Sequence, residues 1–460
     1  MSRICYFLLF VLVIPSLAGG CSKIVTNPAS SPNIIFIMTD DLGYTELGCY
    51  GQMLIQTPNL DAMAREGMRF TNVYSGAQVC ASSRCVLMTG LHTGHATVRQ
   101  NNGKLGGDPD EITGKGHRIP LLDEDYTVAE MMKEAGYVTG LTGKWGLGEA
   151  GSSGEPNRQG FDEFYGFLNQ NHADLYYTDY LWRDGQRDSI PENRYGKEEV
   201  YVHDLFTINA IDFIRRHREE PFFLYLAYSV PHFNIEIPEL EPYARDADWS
   251  EPEQILASMI TRMDRDVGRI RKELKSLGLE DNTLVFFTSD NGPDLGKRVP
   301  ERASLFNSST PFKGDKGDLD EGGIRVPMIV TWPGNVPAGK VSDQPWYFAD
   351  VMPTLAELCG SAIPENRDGI SVLSLLSNEY HILPERYMYW ENPRKGLDQT
   401  VRLGKWNTRR EGGEGAPLAL FNLEEDPGQK DDLASRYPDI VAMFETYLKN
   451  ARTESPYWPL

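Results

Sequence analysis

The chain has 460 residues, with 45 Lys and Arg against 66 Asp and Glu and a formal charge of −21. Apolar residues at 40% and aromatics at 11% supply a real hydrophobic core and exclude an acidic disordered tail as the main body. A surface of that sign repels nucleic acid and long polyanions before contact, so neither is an expected partner.

Met1-Ser2-Arg3 gives a basic start, Ile4 to Leu17 is a nearly continuous apolar run, and Ala18-Gly19-Gly20-Cys21-Ser22 is a small-residue cleavage site. Residues 1–20 therefore read as an export signal. The site resembles a bacterial lipobox, which makes Cys21 the lipidated first residue of the mature chain and 21–31 a polar tether. The expected location is the periplasm, or the outer membrane through a lipid anchor at Cys21 alone. No later stretch approaches the ~20 apolar residues of a membrane span.

Asn33 to Thr39 (NIIFIMT) is an apolar run of strand length, and Thr57-Pro58 opens a helix carrying Leu60, Met63 and Ala64 on one face. Val86 to Met88 suggest a helix beginning close to Cys80. Thr127 to Ala135 predicts a helix ended by Gly136, followed by a strand over Tyr137 to Thr142. Val202 to His217 is helical and leads into FFLYLAYS at 222–229; Ile255 to Leu277 has apolar residues at helical spacing and leads into LVFFT at 284–288. Helix followed by buried strand, repeated, predicts an α/β fold with a mostly parallel central sheet and helices on both faces. From about residue 365 short segments predict a small C-terminal antiparallel α+β subdomain, closed by a helix over Ile440 to Ala451. The expected division is 32–364 and 365–460.

The chemistry lies where strands end. NIIFIMT runs into Asp40-Asp41, and LVFFTS runs into Asp290-Asn291. Ligands collect at the carboxyl ends of parallel strands, so the two pairs can converge there. Three carboxylates and an amide without a His or Cys cluster suit a hard cation, Ca²⁺ or Mg²⁺, rather than zinc. Cys80 sits near a helix N-terminus, where free N–H groups favour an anion, and Arg84 one turn on can grip a tetrahedral oxyanion. Beyond the signal, Cys49, Cys80, Cys85 and Cys359 are too few for a disulfide scaffold, and one disulfide is the most they allow.

With these segments in view the chain resembles a type I sulfatase of the alkaline phosphatase superfamily. Cys80, Arg84, Thr89 and Gly90 match the C-x-P/A-x-R and T-G pattern in which the cysteine becomes formylglycine. IIFIMTDDLGY, TPNLDAMAREGMRFTNVY, TGKWGLG, FFLYLAYSVPHF, LVFFTSDNG, KGDLDEGGIRVPMIVTWPG and LFNLEEDPGQKDDLA resemble further sulfatase segments, from about Asn33 to Ala434.

The resemblance implies Asp40, Asp41, Asp290 and Asn291 as ligands of calcium, with the modified Cys80 completing the set and magnesium the lesser candidate. It implies Arg84, Lys144 and Lys316 around the sulfate oxygens, His232 as sulfate ligand or proton donor, and a formylglycine-generating maturation enzyme as a partner. Two positions depart from the pattern: Ser82 stands where Pro or Ala is usual, and Gly146 replaces the His of GKWHLG. His172 is the imidazole chosen to fill that gap. His92 and His95 read as structural groups.

Arg99, Asn101 and Asp174 are candidate sugar contacts. Their segments resemble those of exported bacterial sulfatases acting on carbohydrate sulfate esters, which makes a sulfated glycan sugar the expected substrate, galactose or N-acetylgalactosamine sulfate within that class. Two other readings stay open: a phosphoester or phosphonate hydrolase of the same superfamily, and a catalytically silent glycan-binding relative. Removing residues 1–20, whose only charge is Arg3, leaves a more acidic chain. That favours short or terminal sulfated sugars over densely sulfated polymers.

Overall fold

The computed structural model describes residues 31–459 except 104, 116, 246–247, 296–304, 378–380 and 394–395. The expected signal, the Cys21 anchor and all but the last residue of the tether lie outside the described residues. Within them no helix is long and apolar enough to cross a membrane.

A long mixed sheet organises the molecule. Ten of its eleven strands are β1 (Asn33–Thr39), β2 (Met68–Tyr74), β3 (Val138–Lys144), β4 (Glu163–Phe167), β5 (Tyr180–Arg183), β6 (Gln186–Ser189), β7 (Phe222–Ala227), β8 (Thr283–Ser289), β9 (Arg325–Thr331) and β10 (Lys340–Ser342), and the short Trp346–Tyr347 pairs with β2. They lie in the order β10-β2-β9-β8-β1-β7-β3-β4-β5-β6. The central run β8-β1-β7-β3-β4 is parallel, while β9 joins β8 antiparallel and β5 joins β4 antiparallel.

Every residue of β1 is buried, because both faces of the sheet are covered. Ile34, Phe36 and Met38 pack into one apolar layer with α2 (Cys80–Thr89), α3 (Val128–Glu134) and α7 (Val351–Cys359). Ile35 and Ile37 point the other way, into a layer with α1 (Pro58–Glu66), α4 (Val202–Arg216) and α5 (Glu251–Ser276). Period-2 alternation through a strand buried on both sides produces an unbroken apolar run, which is what the sequence displays. The short helix α6 (Glu321–Ile324) precedes β9.

The smaller C-terminal sheet is antiparallel, β11 (Met388–Asn392), β12 (Asp398–Leu403), β13 (Trp406–Arg410) and β14 (Leu418–Asn422), and α8 (Pro438–Leu448) packs on it through Phe444 and Leu448. Trp390 and Trp458 insert into the main core instead. All four described cysteines are free, so the one disulfide that the cysteine count allowed is not formed.

Candidate active site

Register brings the two acidic pairs together. Thr39 of β1 pairs with Ser289 of β8, so Asp40-Asp41 and Asp290-Asn291 leave adjacent strands at the same edge. The ladder runs one step further, with Asp290 N donating to Thr39 O at 3.0 Å. Asp41 then turns the chain at φ 64°, a left-handed conformation uncommon for a residue other than glycine and concentrated at functional sites. Its N–H donates to Asp290 Oδ1 at 3.2 Å and Asn291 Nδ2 donates to its Oδ1 at 2.6 Å.

Helix α2 aims its first turn at this edge. Cys80 occupies the first helical position, with its thiol 3.1 Å from Asp40 Oδ1. Asn101 Oδ1 accepts from Ala81 N at 2.9 Å, satisfying one of the free donors of that turn. Gly90 ends the helix at φ 69°, its N–H returning to Val86 O; a left-handed residue is needed there, which explains the T-G of the pattern.

Three cations neutralise three buried carboxylates. Lys144 Nζ lies 2.5 Å from Asp40 Oδ2 and Lys316 Nζ 2.7 Å from Asp41 Oδ2. Arg84 donates to Asp290 Oδ2 through Nε at 3.0 Å and Nη2 at 2.8 Å, and to Lys144 O. Burial opposes ionisation of Asp40, but Lys144, His232 and Arg84 outweigh it and hold its carboxyl well below the usual carboxylate range. Asp41 is lowered in the same way, by Lys316 and His232 against burial. Burial and the charge of Asp40 push Asp290 up to about 6. Burial, then Asp290 and Asp40, push the Cys80 thiol well above its ordinary value, so an unmodified Cys80 is a poor nucleophile in this setting.

Donor chemistry at this edge fits a cation. Asp40, Asp41, Cys80 and His232 offer ligand atoms all within 4.8 Å of one another. Asn291 Oδ1, beside them, is buried without a hydrogen-bond partner among the described residues, as an oxygen reserved for a metal would be.

The mouth is a cavity of about 220 Å³ lined by Asn101, Asn102, Arg118, Lys144, Gln170, Asn171, Asp174, His232, Phe233, Asp294 and Lys316. Lys144, His232, Lys316, Asn101 and Asp174 thus meet at one opening. Asp174 also engages His232: its Oδ1 lies 3.0 Å from Nδ1, while Nε2 lies 3.6 Å from Asp41 Oδ2. Nδ1 hydrogen-bonds the Phe233 carbonyl at 3.1 Å with the Asp174 carboxylate beside it, and Nε2 is left turned toward the metal edge.

Three expected site residues lie elsewhere or act differently. Arg84 is wholly buried beneath the cavity, and its donors are taken by Asp290 and Lys144, so it fixes the carboxylate instead of facing a substrate oxygen. Arg99 is buried outside the cavity and bonds Glu391 at 3.1 Å, Thr453 O and Ala96 O; the Arg at the opening is Arg118. His172 does not fill the gap at Gly146. Its ring packs between Phe167 and Tyr180, Nε2 meets Thr178 Oγ1 at 2.9 Å, and burial pushes its pKa down to about 4. His92 and His95 bond Asp368.

The residue beside Gly146 is Gln170, two positions before the histidine chosen. A glycine standing where the resemblance has a large side chain was the available signal, since a close-packed site must fill that volume from a neighbour. Arg118, Asn102, Asn171, Phe233 and Asp294 carried no such signal.

Comparison with known proteins agrees with this geometry. The Sulfatase family model matches residues 32–361, and a second, N-sulphoglucosamine sulphohydrolase, C-terminal, matches 314–454. The chain is 32% identical to the N-acetylgalactosamine-6-sulfatase of Homo sapiens over 451 residues, 88% of this chain and 81% of that one. It is 29% identical to the N-acetylgalactosamine-6-O-sulfatase of Bacteroides thetaiotaomicron over 95% of this chain and 97% of that one. The crystal structure of Ps i-CgsB in complex with k-i-k-neocarrahexaose superposes with a TM-score of 0.78 at 30% identity, covering 94% and 95% of the two chains. An α/β hydrolytic scaffold with a cation-lined acidic centre is thereby defined. The chain belongs to the sulfatase family, and its activity is that of a sulfuric ester hydrolase.

Proposed function

We propose that the protein removes sulfate from a single sugar unit of a sulfated glycan, with galactose or N-acetylgalactosamine sulfate as substrate. The observation that carries this reading is the composition of the cavity wall. Lys144, Lys316 and His232 stand on the acidic side, while Asn101, Asn102, Gln170, Asn171 and Asp174 line the rest, with Phe233. Cations suit the sulfate, and amides suit a polyhydroxylated leaving group. A cavity of about 220 Å³ suits one sugar better than a run of polymer. The curated relatives named above act, by their names, on N-acetylgalactosamine 6-sulfate.

Asp40, Asp41, Asp290 and Asn291 would hold the metal, and Cys80 would carry the formylglycine installed by a maturation enzyme. Oxygen-only carboxylate and amide donors favour calcium over magnesium, which demands stricter geometry. When bound, these groups supply an electrophilic charge for a sulfate oxygen and an aldehyde hydrate as nucleophile. The remaining work falls to this chain's side chains. Three carboxylates face three permanent cations, so a divalent ion leaves the centre two charges positive and ready for a monoanionic ester. Lys144 and Lys316 orient the sulfate, and His232, held at Nδ1 by the Phe233 carbonyl with Asp174 beside it, is placed to give a proton from Nε2 to the leaving oxygen. Export under the leader at 1–20 with a lipid at Cys21 completes the proposal for where this happens.

Release of sulfate from galactose 6-sulfate and N-acetylgalactosamine 6-sulfate, against phosphate from a phosphate monoester, tests the reading. Sulfate release should dominate. Faster phosphate release, or an unmodified Cys80 thiol by peptide mass spectrometry of protein from its native host, would overturn it.

A further inference from the structure

Gln170 stands out in the cavity as a polar side chain with nothing to bond. It is 6% exposed and lines the opening beside Lys144 and His232. Neither Nε2 nor Oε1 has a hydrogen-bond partner among the described residues. A buried carboxamide left unpaired costs free energy, so its retention asks for a ligand that satisfies it.

The position is built, not incidental. Gly146, at φ 79°, leaves the space the carboxamide fills: a methyl carbon added there would come within 1.9 Å of Gln170 Nε2. On either side the backbone is pinned. Asn169 Oδ1 accepts from Asn171 N at 2.6 Å and His172 N at 3.1 Å, Asn169 Nδ2 donates to Glu149 and Asp110, and Asn171 Nδ2 donates to Asp110 at 2.8 Å. The Asn169 side chain and Asn171 Nδ2 are thus spent on scaffolding, while both polar atoms of the Gln170 carboxamide are left for the cavity.

A carboxamide carries both a donor and an acceptor. Sulfate oxygens only accept, and Lys144 and Lys316 already serve them, so a sulfate satisfies half of Gln170 at most. A hydroxyl can accept from Nε2 or donate to Oε1, and a sugar sulfate brings hydroxyls next to its ester. We propose that Gln170 is a specificity-determining residue whose carboxamide hydrogen-bonds a free hydroxyl on the same sugar that carries the sulfate ester. The inference rests on the glycan reading above and deepens it.

The test compares galactose 6-sulfate with 4-nitrophenyl sulfate, an ester with no neighbouring hydroxyl, in wild type and Gln170→Ala. The ratio of kcat/KM for sugar over aryl ester should fall about 10- to 100-fold, the range expected when a hydroxyl loses its partner. Calorimetry in the Cys80→Ala background supplies a readout independent of turnover: Gln170→Ala should weaken galactose 6-sulfate much more than inorganic sulfate. A parallel loss on both esters and both ligands would mean that Gln170 only shapes the pocket, and would overturn its role alone. Wild type that hydrolyses the aryl ester but neither binds nor cleaves sulfated sugar would overturn the glycan reading, and this inference with it.

Discussion

At the scale of single residues, Glu149 shows how the framework behind the cavity is tuned. It is 7% exposed, and its Oε1 accepts from Asn169 Nδ2 while Oε2 has no partner among the described residues. Burial, reinforced by Asp110 and Glu111 and only partly offset by Asn169 and Arg118, pushes its carboxyl up to about 7. The folded state therefore prefers the protonated form, against an unfolded value of about 4.3. Stability from this preference is fully present below pH ~4 and is lost as pH rises through about 7. Glu149→Gln, which keeps the acceptor and cannot ionise, should match wild type near pH 4.5 and exceed it at pH 8 by roughly 1–2 kcal/mol. Thermal unfolding at the two pH values checks this; a constant difference would show that Glu149 does not titrate between them. That shift was invisible in the sequence, because it comes from burial and then from Asp110, both produced by folding.

Among the elements, helix α1 depends on a distant one. Its N-cap residue Thr57 makes no side-chain cap, being used instead to accept from Gly48 N at 2.8 Å. Asp264 of α5 takes over: its carboxylate accepts from Leu60 N at 2.7 Å, Asn59 N at 3.2 Å and Asn59 Nδ2 at 2.7 Å. Negative charge at a helix start is doubly suited, to the free donors and to the dipole. Asp264→Ala should cost roughly 2–3 kcal/mol in denaturant unfolding, with Asp264→Asn losing less because it keeps an acceptor. Equal losses for the two would refute capping from α5. The apolar spacing that made α1 and α5 legible says nothing of these bonds, since 205 residues separate Asn59 from Asp264. The start of α5 was legible in principle: Ser250 and Glu253 form a capping box, with Ser250 N donating to Glu253, and place the helix start at Glu251 instead of the expected Ile255.

Across the whole molecule, Arg99 joins the two bodies of the chain. Its guanidinium meets Glu391 of β11, which also receives Arg452 at 3.1 Å and the Tyr389 hydroxyl at 2.8 Å. Arg99→Ala leaves a fully buried carboxylate short of one cation, at a cost of about 3 kcal/mol. The variant should unfold at a lower temperature while the KM of the surviving folded enzyme stays unchanged; a raised KM with normal stability would return Arg99 to the substrate. The overall charge of −21 is no obstacle to an anionic ester, because Lys144, Lys316 and a divalent ion act within the few ångströms that solvent screening leaves unaffected. Sequence alone determined the alternating layers, the acidic pairs after β1 and β8 and the family, because apolar periodicity and strand-end motifs are local and survive without a neighbour. Only the tertiary structure decided which cation faces the cavity: Arg84 and Arg99 turn inward to buried carboxylates, Arg118 lines the opening, and Gln170 fills the space beside Gly146. The reason is that a side chain's direction and partners are fixed by packing between segments far apart in the chain, and no periodicity within either segment encodes it.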